Sequence, residues 1–173
     1  MEWLEEAKKL GFDTALPLEP SRLVAELSVR EMCASDTCRA YGRNWTCPPA
    51  CGSIAECQER MHRFSSGILL QTVGKLAKDI DSRGYRDAEH LHMERLRKLC
   101  AKLKQEYPNA LCLGSGACRA CKTCAYPKPC RHPDQALYSM ESHGLFVTKV
   151  CRDCGAAYHH GARTITFTAC ILY

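Results

Sequence analysis

The sequence predicts an α/β fold, a small mixed sheet with a crossover helix, joined to loop-rich cysteine lobes that bind metal clusters. Two observations support this prediction. After residue 62, apolar runs of strand length alternate with one long stretch of helical periodicity. Nine of the fourteen cysteines fall in two groups that lack regular periodicity. We expect an N-terminal helix and cysteine-rich metal lobe over residues 1–62. An α/β domain should follow over residues 63–173, with an inserted ferredoxin-like cysteine run at 118–130.

The N-terminal part contains one short helix and little other regular pattern. An amphipathic helix opens the chain and ends near Gly11, and an apolar stretch over 23–29 leads into the first cysteine group. Residues 33–57 hold five cysteines among glycines and prolines and predict a loop-rich lobe. Because such a segment buries little apolar surface, a bound metal is expected to supply much of its order.

The middle of the chain has the pattern of a β-α-β unit. Residues 67–73 predict a buried strand, 87–107 a helix with leucines at mostly helical spacing, and 110–113 the next strand. This order favours a parallel pair of strands with a crossover helix. His90 and His92 lie two positions apart on the helix, hence on different faces, and both are expected to be exposed to solvent.

The C-terminal part completes the sheet in this prediction. Residues 133–141 predict a short helix that is stopped near Gly144. Residues 145–150 and 164–172 are apolar runs of strand length, and we expect both to be strands.

The most informative motif is a group of four cysteines within thirteen residues. Its spacing resembles the bacterial ferredoxin run C-x2-C-x2-C-x3-C-P, which binds an iron–sulfur cluster through thiolates, although the last gap is longer here. Thiolates two residues apart can reach different irons of one cubane. Structural zinc sites, the alternative, commonly use two separated C-x2-C hooks around one tetrahedral ion. We therefore predict a 4Fe–4S cluster, with zinc as the alternative cofactor, held by Cys118, Cys121, Cys124 and Cys130.

A second metal centre is predicted in the first cysteine group, which lies about seventy residues upstream of the cluster run. Its predicted ligands are Cys33, Cys38 and Cys47, with Cys51 as the fourth and Cys57 as the substitute for it. The wider gaps are less diagnostic and leave iron–sulfur, zinc and a free-thiol loop open. A centre with only three protein ligands would keep one metal position for another molecule.

Four short motifs, taken together, are more specific than each alone. In chain order they are Val29-Arg30-Glu31-Met32-Cys33, Tyr41-Gly42-x2-Trp45-x-Cys47-Pro48-Pro49, Pro129-Cys130-Arg131-His132-Pro133 and Ser139-Met140-Glu141-x2-Gly144. Their combination resembles domain-of-unknown-function family 2284, from about residue 23 to the end of the chain. The resemblance implies a metal-binding protein and assigns no reaction.

Cys151 and Cys154 lie outside this resemblance, and three interpretations stay open. They are a redox dithiol, since Arg152 favours a neighbouring thiolate, a small zinc site with His159 and His160, or two ordinary cysteines after a strand. Three further cysteines fall on apolar helix or strand patterns and are expected to be buried hydrophobes: Cys100, Cys112 and Cys170.

Composition and charge exclude several classes of function. The formal net charge is +5, but the basic residues are scattered without a run of five, so we expect no nucleic-acid binding. The first nine residues hold three acidic side chains and no apolar core, which argues against a signal peptide. No stretch approaches the ~18 apolar residues that a membrane span needs. In a reducing cytoplasm, the predicted location, crowded cysteines are metal ligands rather than disulfides.

The sequence therefore predicts a redox carrier rather than a catalyst. Ligation is all-cysteine, and the chain has no phosphate loop, HExxH helix or nucleophile elbow. We expect electron transfer to a redox protein partner. The alternatives are an iron–sulfur enzyme with an open iron site in the N-terminal lobe and a zinc-stabilised interaction module. Partner identity, reduction potential, substrate and oligomeric state stay open.

Overall fold

A five-stranded mixed sheet organises the fold. The computed structural model describes residues 2–173, and none of the helices in that range is long and apolar enough to cross a membrane. In chain order the elements are α1 (Glu2–Lys9), β1 (Thr14–Leu18), α2 (Leu27–Ala34), α3 (Ile54–His62), β2 (Gly67–Lys75), α4 (Ser82–Glu106), β3 (Leu111–Gly114), β4 (Tyr138–Ser139), α5 (Val147–Asp153) and β5 (Thr164–Leu172). The predicted α/β class with a small mixed sheet is confirmed.

The C-terminal strand β5 lies at the centre of the sheet, whose order is β1-β2-β5-β3-β4. It is antiparallel to both neighbours, so Ile171 pairs with Ile68 on β2 and with Cys112 on β3. β2 and β3 therefore run in the same direction but do not pair with each other. The prediction of a parallel strand pair is wrong in this respect, because β5 fills the gap that α4 crosses. The unit is a split β-α-β arrangement.

Side chains alternate between two cores on opposite faces of the sheet, as the period of a strand requires. On one face, α1 and α4 cover the strands, and Leu96, Leu99 and Leu103 are fully buried there. On the other face, α3, α5 and the segment after β4 pack on Leu69 and Leu172. α4 begins five residues before the predicted start because the Asp81 carboxylate caps the helix by accepting from Gly84 N–H at 2.9 Å.

His92 is buried under the α4 face, so its predicted exposure is wrong. Its Nδ1 lies 3.0 Å from the Thr72 hydroxyl, and its ring packs against Phe12 and Phe167. The two-residue offset from His90 correctly separates the faces of the helix. The offset does not reveal that the segment between α1 and β1 folds back over the helix face that carries His92. His90 is exposed.

The segment between the second cysteine group and β5 differs from the prediction. In place of a helix over 133–141, two 3-10 turns, Pro133–Gln135 and Glu141–His143, flank the short strand β4. The predicted strand over 145–150 is wrong, since this segment leads into α5. Val150 and Cys151 are both buried against the second core, and adjacent residues can share one side of a helix but not of a strand.

The two predicted parts share one sheet. β1 pairs antiparallel with β2 from Thr14↔Gln71 to Leu18↔Gly67, which crosses the predicted boundary between residues 62 and 63. Ala7 of α1 belongs to the same core as α4. The turns between α2 and α3, and the run between β3 and β4, carry most of the cysteines that lie outside helices and strands.

Candidate metal centres

The four cysteines of the second group line one small cavity. Its volume is about 20 Å³, and all four cysteines are half-buried around it. The run between β3 and the Pro133–Gln135 turn contains neither helix nor strand. Its backbone is therefore not fixed by a hydrogen-bond ladder, and the thiols can adjust their positions. Four cysteines that the sequence predicts as ligands of one cluster therefore line this cavity: Cys118, Cys121, Cys124 and Cys130.

The donor set of this cavity fits an iron–sulfur cluster in its chemistry. Cysteine thiolates are soft ligands that select iron–sulfur clusters, zinc or Cu(I). Among residues 2–173, no three His, Cys, Asp or Glu side chains converge closely enough to hold one metal ion. The four sulfurs thus surround their cavity without meeting at one point. The enclosed space is that of about one water molecule, so a cluster requires the loop to move outward.

A short segment of the first cysteine group covers this cavity. The Asn44 amide donates to the Cys118 carbonyl at 3.3 Å, and the Trp45 indole donates to the Lys128 carbonyl at 2.9 Å. The Trp45 ring also packs edge-on against Tyr126, with centroids 5.0 Å apart. The two cysteine groups therefore form one lobe. Asn44 begins a glycosylation sequon, but its side chain is buried in this contact and has no room for a glycan.

Three cysteines of the first group line a second, larger cavity. Cys33 lies near the end of α2, while Cys38 and Cys47 come from the turns that follow, and the cavity beside them measures about 400 Å³. Burial raises the pKa of the Cys47 thiol to about 11, and the neighbouring Cys38, Cys33 and Cys118 thiols add to the shift. A metal ion would reverse this shift, because coordination deprotonates thiols.

Cys51 and Cys57 lie beneath this cavity and do not line it. Both are buried, and their sulfurs lie 3.4 and 3.9 Å from the Ser142 carbonyl oxygen. The hydrogen bond between the two thiols raises the pKa of Cys51 and lowers that of Cys57, and the Arg30 and Arg60 guanidiniums add to the lowering. The structure thus places three of the predicted ligands on the cavity wall, without the convergence that one metal ion requires, and pairs the other candidates below it.

Arg30 connects α2 to the parts of the chain that support this site. Its guanidinium donates to the Gly52 carbonyl at 2.7 Å, to the Ser142 carbonyl at 2.8 Å and to the Cys57 sulfur at 3.3 Å. One turn further along α2, the Cys33 thiol lies 3.8 Å from the Glu141 carbonyl oxygen. Sequence reasoning assigned no role to this arginine. The available signal was its place in one of the four motifs.

Gly144 ends the 3-10 turn Glu141–His143, and its backbone conformation explains why the fourth motif ends in glycine. Its φ is +76°, and a Cβ there would lie 2.8 Å from the Ile54 side chain and 3.0 Å from the Glu26 nitrogen. The Glu26 N–H donates to the Gly144 carbonyl at 2.8 Å, which attaches the start of α2. A residue with a side chain would therefore displace the start of α2, which carries Cys33.

The remaining cysteines divide into core residues and the pair on α5. Cys151 is buried, with the Gln71 amide donating to its sulfur at 3.5 Å. Burial raises the pKa of Cys151 and raises that of Cys154 to about 11, which opposes a reactive dithiol. All fourteen cysteines are free. The prediction of buried, hydrophobe-like thiols is confirmed for three others: Cys100, Cys112 and Cys170.

The fold and its lobe define a mixed α/β protein with two neighbouring cysteine-lined cavities. The chain belongs to the family described as predicted metal-binding protein (DUF2284), whose model matches residues 17–173. The resemblance seen in the four motifs is thereby confirmed. No curated protein and no solved structure matches the chain.

Proposed function

We propose that the protein is an iron–sulfur protein that transfers electrons to a protein partner. A 4Fe–4S cluster would be held by Cys118, Cys121, Cys124 and Cys130, and a second metal centre by the first group. The observation that supports this best is the single cavity lined by all four thiols of the ferredoxin-like run. A cluster with a protein thiolate on every iron has no position for a substrate, so electron transfer is the chemistry that remains.

The residues around the second group suit a redox centre. When bound, the cluster would accept and release one electron. Trp45 and Tyr126 form an apolar cover over the loop, and such a cover limits access of water and so influences the reduction potential. The small side chains of Ala120 and Ala125 line the cavity, so main-chain amides can approach the sulfurs. In a reducing cytoplasm the free thiols stay available for metal.

The two proposed centres are close in the chain as well as in space. Thr46 lines the cavity of the second group, and the next residue, Cys47, lines the cavity of the first. Electrons could therefore pass between the centres within one lobe. A second candidate function, an iron–sulfur enzyme, is favoured by the size of the first group's cavity.

We also propose that the partner is an acidic redox protein. The run from Cys118 to His132 holds four basic side chains and no acidic one. One of them, Arg119, is paired with Glu89 at 3.0 Å, and the other three are exposed. An all-thiolate 4Fe–4S site carries roughly −2 overall, so the other three basic residues still leave a slightly positive rim. Such a rim attracts an acidic surface and speeds its association.

The test is an anaerobic purification in which iron, acid-labile sulfide and zinc are counted together. We expect about four to eight irons per chain with matching sulfide. Cys121→Ser should remove one cluster's worth of iron. Cys112→Ser, a core thiol that lines neither cavity, is the matched control and should leave the iron content unchanged. Near-stoichiometric zinc without sulfide would overturn the proposal in favour of a zinc-stabilised interaction module.

A further inference from the structure

The cavity beside the first cysteine group has the size and lining of a small-molecule site. Its volume of about 400 Å³ lies within the range of ligand pockets, roughly 300–1,000 Å³. Much of its wall is apolar, from Val29 on α2 to Leu145 and Val147 at the start of α5. Two large apolar side chains at its edge, Met32 and Phe146, are about half exposed to solvent. Exposed apolar groups beside an open cavity are typical of a ligand entrance.

The thiols reach this cavity as a set of three. Cys33, Cys38 and Cys47 line it, whereas Cys51 and Cys57 are buried below and contact the Ser142 carbonyl. A metal centre held by the three lining thiols keeps one coordination position that faces the cavity. Metal sites that bind substrates retain an open position of this kind.

The charges around the cavity restrict the ligand. Among the described residues, the lining contains one carboxylate, Glu141, and no lysine or arginine. An anion placed there would face the thiolates and this carboxyl group with no lysine or arginine on the cavity wall to receive it. The charge of the metal itself is already offset by the three thiolates, so the site disfavours a further negative charge. Hydroxyl groups of Ser139 and Thr148 supply neutral hydrogen-bond partners.

We infer that this cavity binds a neutral small molecule with an apolar body, whose nitrogen or sulfur donor atom occupies the open metal position. The inference rests on the iron–sulfur assignment proposed above and adds a ligand site to it. The 4Fe–4S cluster proposed for the second group would then supply electrons to a centre that holds a substrate.

The experiment titrates the reduced, anaerobic protein with three probes and records the paramagnetic-resonance spectrum of the first centre. The probes are imidazole, 4-phenylimidazole and imidazole-4-carboxylate. We expect 4-phenylimidazole to shift the signal at a concentration at least about tenfold lower than imidazole, because its phenyl group enters the apolar cavity. Imidazole-4-carboxylate should bind no more tightly than imidazole. Tighter binding of the carboxylate would overturn the inference.

Variants locate the binding site. Thr148→Trp fills the cavity from α5 without changing a thiol and should weaken 4-phenylimidazole binding about tenfold or more. Arg152→Trp, one turn further along the same helix and outside the cavity lining, is the matched control and should leave binding unchanged. If Thr148→Trp loses metal, Phe146→Ala replaces it: this change should weaken 4-phenylimidazole binding and leave imidazole binding as it is. Equal affinities in the cavity variant and the control would overturn the inference.

Failure of this inference is distinct from failure of the proposed function. An iron content of one cluster per chain, or an unchanged spectrum in protein that holds two, overturns the ligand site and leaves the electron carrier standing. Absence of iron and sulfide before any probe is added overturns the proposed function itself.

Discussion

Arg30 is half-buried and His92 is fully buried, and the two side chains differ in the number of hydrogen bonds they make. Carbonyl groups and a thiol surround Arg30, so its positive charge is compensated by three acceptors. His92 has one partner, the Thr72 hydroxyl, and its Nε2 is buried without a hydrogen bond. Burial, with Arg95 nearby, lowers the pKa of His92 to about 4. The ring is therefore neutral in the folded protein at neutral pH, and protonation would place a charge in the core.

We predict that His92 makes the protein less stable as the pH falls from about 6.5 toward 4. In this window the unfolded chain binds a proton at His92 and the folded chain does not, so the free energy of unfolding decreases with falling pH. Two-state titration with these pKa values gives a loss of about 2 kcal/mol between pH 7 and pH 5. Urea unfolding followed by circular dichroism at both pH values measures it.

The control for this prediction is His92→Gln, which keeps a polar side chain beside Thr72 and does not titrate. The variant should lose about 2 kcal/mol less than the natural protein between pH 7 and pH 5. His143, whose pKa burial lowers to about 3, is present in both proteins and contributes equally. An identical loss in the two proteins would contradict the assignment to His92.

At the scale of elements, the sequence predicted long periodic segments well and short ones poorly. α4 and β5 have many residues in phase, so their patterns are unambiguous. The segment over 145–150 has too few residues to separate strand from helix, and its contacts with the second core decide for α5. The central position of β5 also cannot be read from its own residues, because it depends on which edges of β2 and β3 are free to pair with it.

The candidate sites show a similar limit: the sequence shows local cysteine spacing but not the contacts between distant segments. The four cysteines that the spacing groups in the second run line one cavity, and Cys33, Cys38 and Cys47 line the other. Their metal ligation stays a prediction. The spacing did not predict that the two groups touch. The contacts that join them, such as Trp45 with Lys128, connect residues 83 positions apart, and no periodicity encodes such a pair.

The turns between α2 and α3 should depend on metal for their order, which gives a prediction at this scale. In Cys38→Ser the loop loses a ligand, and trypsin should cut after Arg39 or Arg43, while the sheet and α4 survive as a resistant fragment. Few apolar side chains are buried in these turns, whereas Cys57 and Met61 anchor α3 in the core. Mass spectrometry of anaerobic digests identifies the cut sites.

Cys100→Ser is the matched control, because this thiol lies on the buried face of α4 and lines neither cavity. It should leave the digestion pattern of the turns unchanged. If Cys38→Ser and the natural protein resist trypsin equally, the metal does not order these turns, and the basis for a centre in the first group is lost.

For the whole molecule, the two cavities and the basic residues of the second run lie beside the loops that join α2 to α3 and β3 to β4. Asn44 and Trp45 from the first group cover the second, and the exposed Lys122, Lys128 and Arg131 belong to the run around the second cavity. This arrangement implies an order in which electrons would pass between the two proposed centres. A partner that docks on the rim would exchange electrons first with the proposed 4Fe–4S cluster of the second group. The proposed centre of the first group, with its larger cavity, would receive them next.

We predict that charge steers this docking. Electron transfer from a small acidic ferredoxin, followed by stopped-flow absorbance, should slow several-fold as salt rises from about 0.01 to 0.2 M, because screening shortens the range of attraction. The double variant Lys122→Glu/Lys128→Glu should slow the low-salt rate about tenfold. Lys9→Glu/Lys98→Glu makes the same charge change on α1 and α4, outside the cysteine run, and serves as the control. A smaller effect in the control would place the docking surface over the second centre. A rate independent of salt, or an equal effect of the two double variants, would mean that net charge alone acts and that the basic rim does not guide the partner.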